Sequence, residues 1–372
     1  MTGYMRFLSP TLLLFIAFTP WLRAQTDSAG STLAGLSNHG RTPDRPYVTA
    51  GDRAYLIGTQ DGNFPDMGGH VPGEMGGLWL HPIKLIDGFR ATVTDSSTGR
   101  TTALSSALEF VNYPYGNRLR YGPVLDSLEV ERFQFSPDGR QGVVVQYIFR
   151  NLGGGERVVG LEFAVKTDLL PVWYSEHLGI RDAPDVASWR PREAVYVARD
   201  RRHPWFAVWG AGTSIAASPV LHPDSIRSRG RGVTAATEYH VSVAPHDSAT
   251  LTFVLAGSDR SERDALASYH GIARDHERLL EQQRRNYAAL LDHARIIIPD
   301  QKLQQVYDWV RVNTEWTVRD VPGIGRGVGA GLMEYPWWFG TETYTLQALT
   351  ASGDADLAKA TLRLLERQSM KA

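Results

Sequence analysis

The chain contains no cysteine in 372 residues. That excludes a disulfide framework, a thiol nucleophile, a Cys-ligated zinc and a thioether lipid anchor, so any nucleophile must be oxygen or nitrogen. An excess of one charge is missing too: 39 Lys and Arg stand against 40 Asp and Glu, a formal net charge of −1. No net field is available to hold a polyanion by counterion release, which excludes nucleic acid as the main partner. Beyond the N-terminus there is no apolar run near the ~20 residues a spanning helix needs. What is present is a 42% hydrophobic share, enough to bury a core, on a length that suggests about two or three domains.

Residues 1–24 read as a signal peptide. Arg6 supplies the positive flank, Phe7 to Phe18 the apolar stretch, and Thr19-Pro20-Trp21-Leu22-Arg23-Ala24 a cleavage site after Ala24. The expectation is export to the periplasm or beyond, with no membrane attachment after cleavage. Residues 25–45, rich in Ser, Thr, Gly and Asn, read as a linker or N-terminal arm.

Residues 46–258 carry strand signals. Val143, Val145, Tyr147 and Phe149 alternate, as do Leu161, Phe163 and Val165, and Leu251, Phe253 and Leu255. Pro137-Asp138-Gly139 and Gly153-Gly154-Gly155 are turn signals that predict consecutive antiparallel hairpins. This many short strands predicts a large antiparallel β-sandwich. The period then changes. Residues 259–299 are read as a helical linker opening on an Asp259-x-x-Glu262 capping box and carrying Leu266, Tyr269, Ile272, Ala273, His276, Leu279, Leu280, Tyr287, Leu290 and Leu291 at three and four spacings on one face. In residues 300–372, Asp300 caps a helix predicted to bury Leu303, Val306, Tyr307 and Val310, and further helices follow near Glu342 and over Leu357 to Leu365.

Two clusters stand apart from scaffold. In the first, Gly58 to Trp79, the glycines fit no phosphate loop because no Gly-Lys-Ser/Thr follows. It reads either as a structural loop or as a wall of a site, with Asp61, Phe64, His70, Glu74 and Trp79 as that wall. His70, Glu74 and His81 fit no metal-binding helix spacing, so no metal is expected. No cofactor is expected either. The second cluster is a glycine-rich loop from Val321 that ends in Glu334-Tyr335-Pro336-Trp337-Trp338-Phe339-Gly340 and meets an acid, Glu342, at a helix start. Flat aromatic faces stack on sugar rings, while a carboxylate and an arginine hydrogen-bond the hydroxyls. Arg326, Glu334, Tyr335, Trp337, Trp338 and Glu342 are therefore candidates for holding an oligosaccharide or polysaccharide. The alternative is that the aromatics are core anchors.

At Asp52-Arg53-Ala54-Tyr55, at Gly58 to Phe89 and at Gly325-Arg326-Gly327 through Gly340, the sequence resembles bacterial glycogen-debranching and amylo-α-1,6-glucosidase-like proteins of the six-hairpin glycosidase group. The resemblance implies a supersandwich-like β domain, a helical linker and then an (α/α)6 toroid bearing the active site. It also implies that Glu342 holds the terminal sugar, where the group's pattern usually has Asp. Twelve toroid helices of about 11 to 12 residues with their loops need roughly 200 residues, so residues 300–372 are expected to hold only the first of them. Glycoside hydrolysis ordinarily uses two carboxyl groups, and the resemblance puts them further along than this chain reaches. The catalytic residues are therefore unknown. The expectation is the N-terminal part of an exported α-glucan hydrolase, inactive as 372 residues. The alternatives are a non-catalytic carbohydrate-binding or scaffold protein, or a trehalase-like or phosphorolytic sugar enzyme. Oligomeric state is unknown.

Overall fold

The computed structural model describes residues 33–41, 43–69, 72–172, 179–212, 215–220, 230–332 and 342–369. The chain runs β1 (Leu36–Asn38), β2 (Pro46–Ala50), β3 (Tyr55–Thr59), β4 (Gly77–Leu80), β5 (Ile83–Asp95) and β6 (Thr101–Ala103). It continues through β7 (Glu109–Tyr113), β8 (Gly116–Leu125), β9 (Leu128–Phe135), β10 (Gly142–Asn151) and β11 (Arg157–Thr167). Then come β12 (Asp185–Arg190), β13 (Val195–Asp200), β14 (Phe206–Ala211), β15 (Ala217–Val220), β16 (Thr234–Val243) and β17 (Ser248–Ser258). Helices α1 (Glu262–Asp292) and α2 (Gln301–Trp316), a hairpin of β18 (Val318–Val321) and β19 (Gly325–Val328), and helices α3 (Glu342–Ala351) and α4 (Ala355–Ser369) follow.

Two antiparallel sheets face one another. One has the order β1-β7-β8-β9-β10-β17-β14-β13-β12, the other β15-β16-β11-β5-β4-β3-β2 with β6 beside β5. The alternating residues meet between them: Phe163 of β11 stacks on Phe253 of β17 at 4.0 Å, flanked by Tyr147 and Tyr239. The predicted β-sandwich is present.

Helix α1 covers the outer face of the longer sheet. Its Ala265, Tyr269, Ile272 and Leu279 pack on Val144, Val195, Val208 and Val254, and the Tyr269 hydroxyl donates to the Ala211 carbonyl at 2.7 Å. This explains why β10 reads Val143-Val144-Val145: a strand covered on both faces needs no polar alternate.

Several expectations are corrected. Gly153-Gly154-Gly155 does not close a hairpin, because β10 pairs with β9 and β17 while β11 pairs with β5 and β16. The glycines carry the chain from one sheet to the other, and buried Asn151 donates across that crossing to the Gly155 and Val243 carbonyls at 2.7 and 3.1 Å. Helix α1 is capped by Ser261, whose hydroxyl accepts from the Asp264 amide at 3.1 Å, not by Asp259. Within the arm, Leu36–Asn38 pairs with β7 at a sheet edge. Asp300 does cap α2, accepting from the Lys302 and Leu303 amides. The predicted buried face of α2 is wrong, however: Leu303, Val306 and Val310 are 58%, 59% and 57% exposed. The opposite face is buried, where Val312 and Trp316 pack with Tyr287, Leu291 and Ala50, and the Trp316 indole donates to the Pro114 carbonyl at 3.0 Å. The glycine-rich loop proves to be partly the β18–β19 hairpin, with Gly323 at φ +78° in its turn. At Gly327 a Cβ would come within 3.0 Å of Leu364 on α4. Close packing of α4 on β19 therefore accounts for that glycine. Among the described residues the helices form two sequential pairs, α1 with α2 and α3 with α4.

Candidate functional site

The two clusters singled out in the sequence meet where the sandwich joins the helices. A clamp of two turns builds the seam. Gly139 donates its amide to the Asp52 carboxylate at 2.6 Å, and the Asp52 amide donates to Asp138 at 3.2 Å. Helix α1 joins through Gln283, which accepts from the Asp138 amide at 3.1 Å, and β18 joins through the Asp320 amide, which donates to the Asp52 carbonyl at 2.9 Å. Burial, with Asp52 beside it, holds the Asp138 carboxyl above the usual carboxylate range.

From this seam a column of rings runs into the sandwich. The Arg319 guanidinium lies 5.2 Å from the centre of the Tyr55 ring and donates to the Trp316 carbonyl. The Tyr55 hydroxyl and His81 Nε2 are 2.8 Å apart, and His81 stacks on Trp79 at 5.9 Å. Burial and the neighbouring Arg319 charge push His81 down to about 3, so its imidazole is neutral. Behind Trp79 sits Lys84, fully buried in β5. Its ammonium donates to the Glu74 carboxylate at 3.1 Å, to Asp87 at 2.5 Å and to the Glu74 carbonyl at 2.8 Å, with Asp168 3.7 Å away. Burial alone would lower Lys84; the three carboxylates outweigh it and keep the amine charged. Asp168 is pushed well up, by burial first, against the lowering effect of Lys84, with Asp87, Glu74 and a side-chain hydrogen bond with Glu74 adding to the shift. For Glu74 burial acts upward, but Lys84 and that bond from Asp168 outweigh it and the net shift is down.

The carboxylate oxygens of Glu74, Asp87 and Asp168 lie within 4.8 Å of one another, a spacing a divalent cation could use. The Lys84 ammonium already sits among them, so this donor set does not fit an additional divalent ion. The cleft beside it has about 10 Å³ of space, room for about one water and not for a sugar ring.

The residues read as a sandwich-loop wall are placed as follows. Asp61 is used inside its own turn, accepting from the Asn63 amide at 3.0 Å and the Thr59 hydroxyl at 2.6 Å. Phe64 packs on Phe89 at 4.7 Å, Glu74 is bound to Lys84, and Trp79 is 1% exposed with its indole donating to Met75. Glu74 and Trp79 are turned inward because each finds its partner within the sandwich, while Asp61 and Phe64 stay partly exposed. His70 lies outside the described residues.

On the helical side Arg326 stands on β19, half exposed, with Nη2 3.9 Å from Glu315 Oε1. Burial, then Asp138, push Glu315 up to about 7 against the lowering effect of Arg326. Glu342 opens α3; Glu334, Tyr335, Trp337 and Trp338 lie outside the described residues, as does the side chain of Glu342. Leu332, just before that segment, packs against the cluster of Tyr55, Ile57, Met75, Trp79 and Val172. The last described residue of the glycine loop therefore rests on the ring column of the sandwich.

Sequence reasoning passed over Lys84, Arg319 and Glu315. Lys84 left a signal: a lone cation in the apolar run Pro82-Ile83-Lys84-Leu85-Ile86 has to find buried carboxylates. Arg319 left none, since its partner Tyr55 is 264 residues away, counting 319 − 55.

No protein-family model and no curated protein matches this chain. Solved structures do. A protein assigned as a kojibiose phosphorylase, from the human microbiome, aligns over 81% of this chain and 44% of its own at 8% identity and a TM-score of 0.51. A bacterial glucoamylase complexed with acarbose aligns over 90% of this chain and 53% of its own at 9% identity and a TM-score of 0.51. This chain thus spans about half the length of each. Because the strands of the sandwich end at Ser258, both alignments extend past the sandwich into the helical part. The chain shares the fold of carbohydrate-active enzymes of the glycosidase type.

Proposed function

We propose that this chain carries the sandwich and first helices of an exported glycoside hydrolase acting on α-glucans or related oligosaccharides, debranching-like in its preference for branch-point linkages. The observation that supports this best is the fold likeness across both sandwich and helices to a glucoamylase. Tyr335, Trp337 and Trp338 stack on sugar rings in this reading, while Arg326, Glu334 and Glu342 hydrogen-bond hydroxyls, and Leu332 anchors their segment on the sandwich. A flat aromatic face and a bidentate arginine provide orientation; proton transfer falls to a carboxyl pair.

Calorimetry of the chain with maltooligosaccharides and isomaltooligosaccharides tests the subsite. Trp338→Ala and Arg326→Ala are each expected to weaken binding about tenfold, the effect of losing about 1.4 kcal/mol. Sugar release by the whole protein tests the reaction. No binding and no release across an α- and β-linked panel would sink the reading.

The kojibiose phosphorylase likeness favours one second reading, phosphorolysis. Product that forms only when inorganic phosphate is supplied would select it. Binding without any sugar release would instead leave a carbohydrate-binding module.

A further inference from the structure

A separate cavity of about 140 Å³ lies at the seam between the sandwich and α1, lined by Arg53, Gly139, Arg140, Gln141, Arg260 and Ser268. With about 10–15 Å³ needed per water on this measure, it has room for a group of ligand atoms. Three arginines reach it from three segments: the β2–β3 turn, the β9–β10 turn and the residue preceding the Ser261 cap.

Gathering like charges is unfavourable unless something neutralises them. The protein does little of this. Arg260 has Asp259 at 3.9 Å with its own side chain 59% exposed. Among the described residues, Arg53 and Arg140 make no ion pair and no side-chain hydrogen bond. The carboxylates near them in sequence make their hydrogen bonds and ion pairs with groups other than Arg53 and Arg140. Asp52 accepts from Gly139, Asp138 accepts from the Asp52 amide and from Asn286 at 3.4 Å, and Glu262 pairs with Arg190 at 2.7 Å. Ser268 donates to Gln141 Oε1 at 3.2 Å, which fixes the Gln141 amide at the wall and leaves its NH2 as a neutral donor.

We propose that this cavity binds a tetrahedral oxyanion, a sulfate or phosphate group, held by Arg53 and Arg140 with Arg260 at the mouth. Planar guanidinium forks match two oxygens of such a group at once, which an ammonium cannot do. The group can be a free ion or an ester on a sugar; the recognition chemistry is the same. Because its walls come from both the sandwich and α1, the bound anion ties the two together. It therefore raises stability by mass action.

The test is thermal unfolding of the 372-residue chain, titrated separately with inorganic sulfate, inorganic phosphate and glucose 6-sulfate at constant ionic strength. In the wild type the unfolding midpoint is expected to rise and saturate. In Arg53→Gln/Arg140→Gln that saturable part is expected to vanish, and in Arg140→Lys, which keeps the charge but loses the fork, the apparent Kd is expected to rise about tenfold. General stabilisation of the folded state by exclusion of sulfate or phosphate from the protein surface grows without saturation and is the same in all three proteins. A lower Kd for glucose 6-sulfate assigns the group to a glycan, and an equal or lower Kd for the inorganic ions assigns it to the free anion; both support the site. Absence of a saturable rise with every titrant, or one that the double variant retains, overturns it. The outcome is independent of the glycosidase reading, which none of these titrations addresses.

Discussion

The Arg319 guanidinium lies over the Tyr55 ring, 5.2 Å from its centre, and this contact joins the β18–β19 hairpin to the sandwich. Arg319 is 1% exposed, and among the described residues its Nε and Nη1 find no hydrogen-bond partner. Burial accordingly lowers its affinity for the proton, although Tyr55 and Asp52 oppose that. The side chain contributes through packing and ring contact more than through hydrogen bonds. Arg319→Ala should cost about 2–4 kcal/mol in urea unfolding by leaving a cavity, whereas Arg319→Met, which refills it without a charge, should cost less than about 1.5 kcal/mol. Equal losses would show that the charge matters more than the volume.

Lys84 makes a sharper case, because its charge is fully compensated. Lys84→Met leaves Glu74, Asp87 and Asp168 buried together without a cation. At neutral pH the loss should be about 3–5 kcal/mol. It should shrink as pH falls, since carboxylates that lose their counter-charge can take up protons. Denaturant midpoints of both proteins at pH 7 and pH 4.5 check this, and a pH-independent difference would refute it.

Asp185 predicts a pH dependence of opposite origin. Its carboxyl accepts from Thr167 at 2.7 Å and from the Leu169 amide at 3.1 Å. Burial nevertheless pushes it up to about 7, with Asp182 and Asp200 adding to the shift. The folded state therefore binds this proton more tightly than the unfolded chain. The resulting stability is present below the unfolded value near 4 and is lost as pH rises to about 7, on the order of a few kcal/mol. Asp185→Asn keeps an acceptor oxygen and removes the titration, so its stability profile should be flatter between those limits and higher at pH 8. A profile parallel to wild type would exclude Asp185 as the source.

Gly327 tests whether the glycine cluster is kept for packing. Gly327→Ala brings a Cβ within 3.0 Å of Leu364, a fully buried side chain. A loss of about 1–3 kcal/mol is expected from overpacking. Gly154→Ala, with nothing within 4 Å, should change stability by no more than about 0.5 kcal/mol.

Trp79→Ala bears on the sandwich loop. A ring buried to this degree, between His81 and Lys84, should cost about 3–5 kcal/mol on truncation. Oligosaccharide affinity of the fraction that remains folded is expected to be unchanged, because the ring is not on a surface.

Local pattern was enough for much of the architecture. Alternation placed strands at Val143–Phe149, Leu161–Val165 and Leu251–Leu255, within β10, β11 and β17, the three-four spacing of Tyr269, Ile272, Leu279 and Tyr287 marked the buried face of α1, and Asp300 marked the start of α2. These signals are local because strand and helix geometry repeat over two or 3.6 residues. On the candidate site less was legible. Arg326 and the start of α3 at Glu342 are placed, but the inward turn of Glu74 and Trp79 depended on Lys84, which is recognisable as a buried cation only once its acids are found.

By itself, then, the sequence determined the order β then α, the alternation that buries one face of β10, β11 and β17, and the absence of any thiol. Tertiary structure decided which sheet each strand joins, which face of α2 is covered and that three arginines from separate segments share one cavity. The physical reason is that periodicity states how a segment can bury itself, whereas its partner is chosen by contacts between residues as far apart as Tyr55 and Arg319, or Arg53 and Arg260, which no local pattern encodes.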